Sequence, residues 1–327
     1  MSTSSSVRLR ALVVGSGWAA NAARAFAARD DVEVVGVVGR GSARSAALAT
    51  ELGVALATDL GAAIRASRPA LAVVAVGDRQ NPAAAAALVR AGVHVLCAHP
   101  VAPTEAEVIA LADLARHQGV VVGTDYSLRA TEAFATARAA LGALGPLLRV
   151  DVVAPGRFLP MSLDLAIGLA GEAASVTAFG LYPDALAARR RAAPAAFPPT
   201  VVIEHRGGAV TSLVPSPHAP PCAPVRVIAS ASGGRLEASL PSGEVRRQRF
   251  GSGGFDDDRL VATTDASDAP SAFSRAMRRC ANAFVEAILR GGPPPCSLTD
   301  EAHVRALWTA ISVSVRTRSR VALSDKR

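Results

Sequence analysis

Residues 11–20 read A-L-V-V-G-S-G-W-A-A, a short apolar strand that runs into a glycine-containing turn and then into a helical stretch. The turn has the G-x-G-x-x-A form of a dinucleotide-binding loop. Gly15 allows a tight turn, Gly17 lets the backbone approach a pyrophosphate, and Ala20 lets the helix pack close to the strand. A second apolar strand at 32–38 follows at the spacing of a βαβ unit. The predicted cofactor-binding residues of this region are Gly15, Ser16, Gly17, Trp18 and Ala19 around the helix N-terminus, with Val76 and Gly77 at the end of a predicted strand at 71–76.

The loop after the second predicted strand carries no carboxylate. Enzymes that prefer NAD usually place Asp or Glu there to bind the ribose 2′-hydroxyl, whereas residues 39–44 read G-R-G-S-A-R. Two guanidiniums and a hydroxyl suit the 2′-phosphate of NADP. We therefore predict that Arg40, Ser42 and Arg44 bind this phosphate and that the cofactor is NADP(H). The alternative is a surface turn in which the arginines are incidental.

Composition indicates a globular protein large enough for two domains. The chain has 327 residues, half of them hydrophobic, and a net charge of +8 in which Lys326 is the only lysine. Its cysteines form no C-x-x-C pair and no zinc-like spacing with histidine, so we predict reduced cysteines and no metal. The positive charge comes without a helix-turn-helix, an aromatic RNA-binding stripe or a lysine-rich run, which argues against nucleic acid and favours an acidic protein partner. The polar N-terminus precedes only a strand-length apolar run, so we predict neither a secretory signal nor a membrane span and expect a cytoplasmic protein.

The pattern of apolar segments changes near Gly123. Before it, apolar strands alternate with alanine-rich helical stretches, which is typical of a doubly wound parallel sheet. After it, consecutive strands are divided by short turns, which indicates an antiparallel sheet. We predict an α/β plus α+β protein, with a Rossmann-type NADP-binding domain at 1–123 and a substrate and dimerisation domain with an open, mainly antiparallel sheet at 124–327. Segments 215–224 and 251–270, rich in Pro, Gly, Ser and Asp, are predicted to be exposed loops.

This plan resembles the glucose-fructose oxidoreductase, inositol dehydrogenase and MocA superfamily, with two of its motifs altered. Most members follow the strand predicted here at 93–97 with Glu-Lys-Pro, whose lysine assists proton transfer. Residues 97–100 read C-A-H-P and offer His99 instead. The superfamily's sugar enzymes also tend to carry Asp-x-x-x-His on a helix of the second domain, whereas here Asp164 is followed four positions later by Gly168. Both departures argue against a sugar or inositol dehydrogenase.

The same departures resemble the thiazolinyl imine reductases, a branch that acts in siderophore biosynthesis and related nonribosomal peptide pathways. Four segments carry this resemblance: G-R-G-S-A-R-S at 39–45, R-A-G-V-H-V-L-C-A-H-P at 90–100, G-T-D-Y at 123–126 and S-L-D-L-A-I-G-L-A-G at 162–171. It covers roughly the first half of the chain. The resemblance implies that NADPH delivers hydride to the carbon of a cyclic C=N while an acid protonates the nitrogen, which converts a thiazoline into a thiazolidine.

Tyr126 and His99 are the two general acids that the resemblance implies near the nicotinamide. A phenol holds its proton at neutral pH, and an imidazole titrates close to it and can relay protons from solvent. We predict Tyr126 as the donor and His99 as a relay or electrostatic partner, without a firm ranking between them. Asp164 is the predicted substrate residue. Structural alternatives stay open, namely a buried phenol for Tyr126, a turn cap for His99, and a helix cap or helix-dipole partner for Asp164.

Three functions are compatible with these features. The leading hypothesis is an NADPH-dependent imine reductase acting on a thiazoline held as a carrier-protein thioester, with a positive surface suited to an acidic carrier domain. The second is a MocA-type oxidoreductase of another small carbonyl or imine compound. The third is an NADP-binding regulator that has lost catalysis, which the absent lysine also permits. Open sheets of this kind often pair, so we expect a homodimer.

Overall fold

The computed structural model describes residues 8–180, 199–216, 219–220, 223–251, 254–262 and 269–324. The chain divides into two compact units. The first contains Met1–Ser127 and Met277–Ala302, and the second contains Leu128–Ala276 and His303–Arg327. The first unit thus combines the N-terminal part of the chain with a segment close to the C-terminus. The predicted domain boundary after residue 123 stays a prediction.

The first unit contains a six-stranded parallel sheet, as predicted. The strands are β1 (Leu9–Val14), β2 (Val32–Val38), β3 (Leu56–Ala57), β4 (Leu71–Val74), β5 (His94–Cys97) and β6 (Val122–Thr124). Their order is β3-β2-β1-β4-β5-β6, and all neighbouring strands run parallel. The strand order reverses beside β1, where β2 lies on one side and β4 on the other. In open α/β sheets of this kind, ligands bind beyond the carboxyl ends of the strands at that reversal.

Five helices connect the strands of this sheet. They are α1 (Ala19–Ala27), α2 (Ala43–Leu52), α3 (Leu60–Ser67), α4 (Asn81–Arg90) and α5 (Glu105–Gln118). At the start of α5 the Thr104 hydroxyl accepts the Glu107 N–H, and the Glu107 carboxylate accepts the Thr104 N–H. Such a capping box satisfies two amides that the helix itself leaves without acceptors.

The second unit contains a nine-stranded sheet. Its strands are β7 (Leu147–Pro155), β8 (Ala173–Phe179), β9 (Thr200–His205), β10 (Val210–Ser216), β11 (Val225–Ala231), β12 (Gly234–Leu240), β13 (Val245–Gly251), β14 (Gly254–Ala262) and β15 (Val321–Ala322). Their order is β14-β13-β12-β11-β7-β10-β9-β8-β15. Every pair is antiparallel except β7 and β10, which run parallel. The predicted fold class is therefore confirmed for both sheets.

Four longer helices follow residue 130 in the described part of the chain. They are α6 (Glu132–Gly142), α7 (Leu159–Ala170), α8 (Ala269–Arg290) and α9 (Leu298–Thr317). In the described residues, no helix has both the length and the apolar character needed to cross a lipid bilayer.

Two predicted loops are partly wrong. Residues 254–262 form β14, which pairs antiparallel with β13, although the glycines and aspartates of 251–270 indicate a loop. Pairing with a neighbouring strand supplies backbone hydrogen bonds that composition does not reveal. Pro215 and Ser216 likewise end β10, while Cys222 and residues 263–268 lie outside the described residues.

Candidate functional site

The turn after β1 requires glycine at position 15. Gly15 has φ +107°, and a Cβ at this position would lie 2.2 Å from the Ala75 carbonyl oxygen. The Gly15 N–H donates to the Val38 oxygen at 2.9 Å. The glycine therefore lets the chain cross closely between the ends of β2 and β4, since no side chain fits there.

The rest of the turn leaves backbone open in front of α1. A Cβ on Gly17 would have no closer neighbour than Arg44 Nη1, at 3.9 Å. Ser16 is half-buried, Trp18 is exposed, and Ala19 is buried as the first residue of α1. An accessible backbone before a helix N-terminus is the arrangement that binds phosphate groups in dinucleotide-binding domains. The turn therefore fits the pyrophosphate of a dinucleotide.

The loop between β2 and α2 presents positive charge at the same edge of the sheet. Arg40, Ser42 and Arg44 are all exposed. Ser42 caps α2 by accepting the Ser45 N–H at 3.3 Å, and its hydroxyl oxygen also lies 3.2 Å from the Ser45 hydroxyl oxygen. A Cβ on Gly39 would lie 2.8 Å from Ser45 Cβ, so an acidic side chain at this position would displace Ser45.

Asn81 joins the ends of β4 and β5. Its Oδ1 accepts the Val76 N–H at 2.9 Å, and its Nδ2 donates to the carbonyl oxygens of Ala98 and Pro100, both at 3.2 Å. Asn81 is buried, so these bonds form away from water and hold the two loops in one arrangement. The bonds from Asn81 thereby fix the backbone on both sides of His99. Gly77, next to Val76, is exposed and has φ +102°.

Three side chains meet beyond the ends of β5 and β6. His99 follows β5, Tyr126 follows β6, and Glu301 lies in the first turn of α9. His99 Nδ1 lies 2.8 Å from Glu301 Oε2 and 2.5 Å from the Tyr126 hydroxyl. The Tyr126 hydroxyl donates to Glu301 Oε2 at 2.7 Å, and the Val101 N–H donates to Glu301 Oε1 at 3.2 Å. The Glu301 carboxylate thus lies within hydrogen-bond distance of both predicted general acids, His99 and Tyr126.

The three side chains differ in their access to solvent. Tyr126 and Glu301 are fully buried, whereas the His99 side chain remains 11% exposed. Nδ1 of His99 makes the contacts described above, and Nε2 has no hydrogen-bond partner among the residues that the structure describes. The imidazole is therefore the member of the cluster with a nitrogen left for a ligand.

The start of α9 is anchored beside β6, which explains how Glu301 reaches the cluster. The Thr124 N–H donates to the Cys296 oxygen at 2.9 Å, and Ser297 forms a bridge with Gly123. Ser297 and Asp300 then cap the helix reciprocally, since each backbone N–H bonds to the other's side chain.

Two further titratable groups lie close to the cluster. Burial raises the pKa of the Cys97 thiol far above its usual range, and the charges of Glu301 and Asp125 act in the same direction. Burial also raises the pKa of Asp125 to about 6, against opposing contacts from Cys280 and Ser127. Cys97 is consequently a protonated, inert thiol, while Asp125 titrates in a useful pH range.

Asp164 belongs to the second unit, whereas the other predicted site residues belong to the first. Asp164 is buried in α7 and accepts a hydrogen bond from Arg129 Nη1 at 2.8 Å. A Cβ on Gly168 would lie 3.2 Å from Arg129 Nε. The helix-cap alternative does not apply because Asp164 lies within α7.

Sequence reasoning missed Glu301, Asn81 and Arg129. The sequence around Glu301 suggests an ordinary helix start, since Ser297 and Asp300 form an S-x-x-D capping pattern that accounts for the nearby acids. Asn81 precedes a proline and likewise suggests only a helix start.

In the described residues, no group of three or more His, Cys, Asp or Glu side chains is arranged to hold a metal ion.

Comparisons with known proteins agree with the fold of the chain. Residues 9–126 match the family model GFO_IDH_MocA, an oxidoreductase family with an NAD-binding Rossmann fold. No curated protein sequence matches the chain.

Several solved structures share the fold over nearly the whole chain. An oxidoreductase from Agrobacterium radiobacter in complex with NAD+, L-tartaric acid and magnesium is 16% identical, with 97% of this chain and 98% of that chain covered and a TM-score of 0.81. Levoglucosan dehydrogenase in complex with NADH and levoglucosan is 18% identical, with 97% and 100% covered and a TM-score of 0.82. GenD2 from gentamicin A biosynthesis in complex with NAD is 20% identical, with 98% and 97% covered and a TM-score of 0.78. At these identities the similarity establishes the fold, and the match over residues 9–126 likens that segment to an oxidoreductase family with an NAD-binding Rossmann fold.

Proposed function

We propose that this protein is an NADPH-dependent reductase that converts a cyclic C=N bond, a thiazoline, into a thiazolidine on a carrier-tethered intermediate of nonribosomal peptide or siderophore assembly. One observation carries the proposal. The proton-bearing groups beyond β5 and β6 are an imidazole and a phenol on one buried carboxylate, and none of the three is an amine. Such a cluster can deliver a proton to a nitrogen on which negative charge develops.

The reaction needs one hydride at carbon and one proton at nitrogen. When bound, the reduced nicotinamide supplies the hydride and with it both electrons. The π bond of C=N breaks, a C–H and an N–H bond form, and the proton comes from the cluster of His99, Tyr126 and Glu301. Solvent then restores the proton through the partly exposed imidazole. Oxidised cofactor and the cyclic amine are the products.

The turn after β1 and the end of β4 are proposed to hold the dinucleotide. Gly15 supports this role because its positive φ and close approach to Ala75 leave no room for a side chain. Gly17 and the N-terminus of α1 offer open backbone for phosphate. The residues assigned to this role are Gly15, Ser16, Gly17, Trp18, Ala19, Val76 and Gly77.

The loop after β2 supports a preference for NADPH over NADH. Arg40 and Arg44 are exposed guanidiniums, Ser42 has an exposed hydroxyl group, and residues 39–45 contain no carboxylate. Guanidiniums bind phosphate oxygens through paired N–H groups. The relatives described above contain NAD+, NADH or NAD, so this preference distinguishes the present chain from them.

The substrate and partner assignments extend the same proposal. Asp164, with Arg129 beside it, is proposed as the substrate residue of the second unit. The net charge of +8 suits an acidic carrier domain that presents the thioester. The open nine-stranded sheet suits a homodimer.

A second candidate function rests on the structural neighbours. Levoglucosan dehydrogenase shares the fold over the whole chain, so an oxidoreductase of another small carbonyl or imine compound is the alternative. An NADP-binding regulator without catalysis is a third reading. The second candidate differs from the leading proposal in its substrate, and the third differs because it catalyses no reaction.

One assay separates the three. Purified protein is incubated with NADPH and a thiazolinyl thioester on a carrier domain, while absorbance reports cofactor oxidation and mass spectrometry reports the product. We expect stoichiometric oxidation and a product two mass units heavier, and much weaker turnover of sugars and polyols with NADP+. Turnover of sugars alone would favour the second candidate, and NADPH binding with no turnover of any substrate would favour the third.

A further inference from the structure

We propose that Glu301 is a positioning residue that fixes the tautomer of His99, so that the proton is donated from Nε2 and Tyr126 acts only as an orienting group. This inference rests on the proposed function for the identity of the proton acceptor. It reverses the roles expected from the sequence, in which Tyr126 is the donor.

The hydrogen bonds of Glu301 leave one consistent arrangement. When Glu301 is ionised it can only accept hydrogen bonds, and in that state Val101 N–H, Tyr126 O–H and His99 Nδ1–H all point toward it. The Tyr126 oxygen, 2.5 Å from Nδ1, then accepts a share of the same Nδ1–H. Nδ1 therefore carries the hydrogen in the neutral imidazole, and Nε2 carries a lone pair.

Proton donation follows from this arrangement. In the imidazolium form both nitrogens carry hydrogen, and Nε2–H is the group that has no partner among the described residues. Transfer of that proton to the substrate nitrogen breaks the Nε2–H bond and leaves the neutral Nδ1–H imidazole in place on Glu301. The imidazole therefore keeps the same bonds through the transfer.

Tyr126 is poorly placed to donate directly. It is fully buried, and its proton is already held by Glu301 at 2.7 Å. Donation by the phenol would require it to leave this bond and expose itself. Tyr126 contributes by holding the His99 imidazole and the Glu301 carboxylate in their relative positions.

The titratable groups near Glu301 support its role as a hydrogen-bond partner of the His99 imidazole. Cys97 on β5 is a buried protonated thiol, and Asp125 after β6 is a second acid nearby. Among the described residues the only ion-pair partner of Glu301 is His99, with no arginine or lysine involved. His99 is therefore the one basic side chain that pairs with this buried carboxyl group in the described part of the chain.

The test is the tautomer of His99 in the cofactor-free protein, read by nitrogen-15 NMR of histidine-labelled protein at a pH where the imidazole is neutral. His99→Asn assigns the signal among the six histidines. We expect the Nδ1–H tautomer in the wild type. In Glu301→Gln the Val101 N–H still needs the oxygen of the glutamine side chain as its acceptor, so the glutamine NH2 group turns toward His99 Nδ1. Nδ1 then accepts a hydrogen bond, and His99 shifts toward the Nε2–H tautomer.

The matched control is Asp113→Asn, which removes an exposed carboxylate of α5 that pairs with Arg116 rather than with His99. It should keep the wild-type tautomer. In turnover, Glu301→Gln should lower kcat about 10- to 1,000-fold with little change in the KM for NADPH. An Nε2–H tautomer in the wild type would overturn the proposal, and so would an unchanged tautomer in Glu301→Gln. The tautomer is read without substrate, so a failure to reduce thiazolines would refute the proposed function while leaving this test intact.

Discussion

Arg129 fills the space that a side chain at Gly168 would need. A Cβ on Gly168 would lie 3.2 Å from Arg129 Nε, while Arg129 Nη1 donates to Asp164 at 2.8 Å. The pattern Asp-x-x-x-His would place an imidazole four residues after the aspartate. Here a guanidinium from a preceding 3-10 helix, Ser127–Ala130, partners the aspartate instead. The motif's histidine is missing, and the guanidinium of Arg129 is the cation beside Asp164 instead. The sequence motif alone does not reveal this replacement.

A histidine at position 168 should disturb this pair. Gly168→His would push Arg129 or Phe134 aside, so we expect a loss of about 1–3 kcal/mol in the free energy of unfolding. Urea denaturation measures it. Gly142→His is the control, because Gly142 is exposed at the end of α6 and has no atom within 4 Å of its Cβ position. Equal stability of both variants would show that the space beside Gly168 is not restricted.

The two glycines of the nucleotide turn should respond differently to alanine. Gly15→Ala meets the Ala75 oxygen at 2.2 Å and has an unfavourable φ, so we expect a loss of at least about 3 kcal/mol in stability. Gly17→Ala has room and should keep wild-type stability, but its methyl group should weaken NADPH binding. Calorimetry and thermal unfolding separate the two effects. Unchanged NADPH affinity in Gly17→Ala would argue against phosphate binding at this turn.

Arg44 provides the sharpest test of cofactor preference. Arg44→Ala should raise the Kd for NADPH about 10- to 100-fold and leave the Kd for NADH nearly unchanged, because only the 2′-phosphate distinguishes them. Fluorescence titration measures both constants. Arg116→Ala removes an exposed arginine from α5, where it pairs with Asp113, and serves as the charge-matched control. Equal weakening of both cofactors by Arg44→Ala would contradict the assignment.

Asp125 should make stability depend on pH. Burial raises its pKa from the ordinary 3.8 to about 6, so the folded protein binds this proton more tightly than the unfolded chain. Its favourable contribution is complete below the unfolded value and is lost as the pH rises through about 6. Asp125→Asn lacks this titration, so its stability relative to the wild type should increase by up to about 3 kcal/mol between about pH 4 and pH 7.

Urea denaturation across that range measures this prediction. Asp31→Asn is the comparison, because a hydrogen bond from Arg29 lowers the pKa of Asp31. Its favourable contribution is lost as the pH falls, so this variant should gain on the wild type toward acid. A relative stability of Asp125→Asn that does not vary with pH would contradict the raised pKa.

Much of the fold was predictable because it depends on local patterns. Alternating apolar strands and alanine-rich helices specify the parallel sheet, and Gly15 marks its nucleotide turn. β14 was not predictable in this way, since the sequence F-D-D-D-R lacks the apolar alternation of a half-buried strand and pairs with β13 all the same. Strand pairing depends on a neighbour rather than on the strand's own composition.

The candidate site was predictable only where each residue follows a recognisable strand. His99 and Tyr126 end β5 and β6, and the resemblance of their segments to a known branch pointed to both. Glu301 is 202 residues from His99 in the chain, and no local pattern links the two. Its part in the cluster depends on how the start of α9 lies along β6, which only tertiary structure reveals.

The turnover of His99→Asn tests the whole interpretation most directly. The substitution removes the nitrogen proposed to donate the proton while leaving the nucleotide turn untouched. The rate of NADPH oxidation with a thiazolinyl thioester is compared among wild type, His99→Asn and the surface control His117→Asn on α5. We expect His99→Asn to lose at least about 100-fold in kcat with unchanged NADPH affinity, and His117→Asn to retain wild-type turnover. Wild-type turnover in His99→Asn would contradict the role of the cluster of His99, Tyr126 and Glu301 as the proton source.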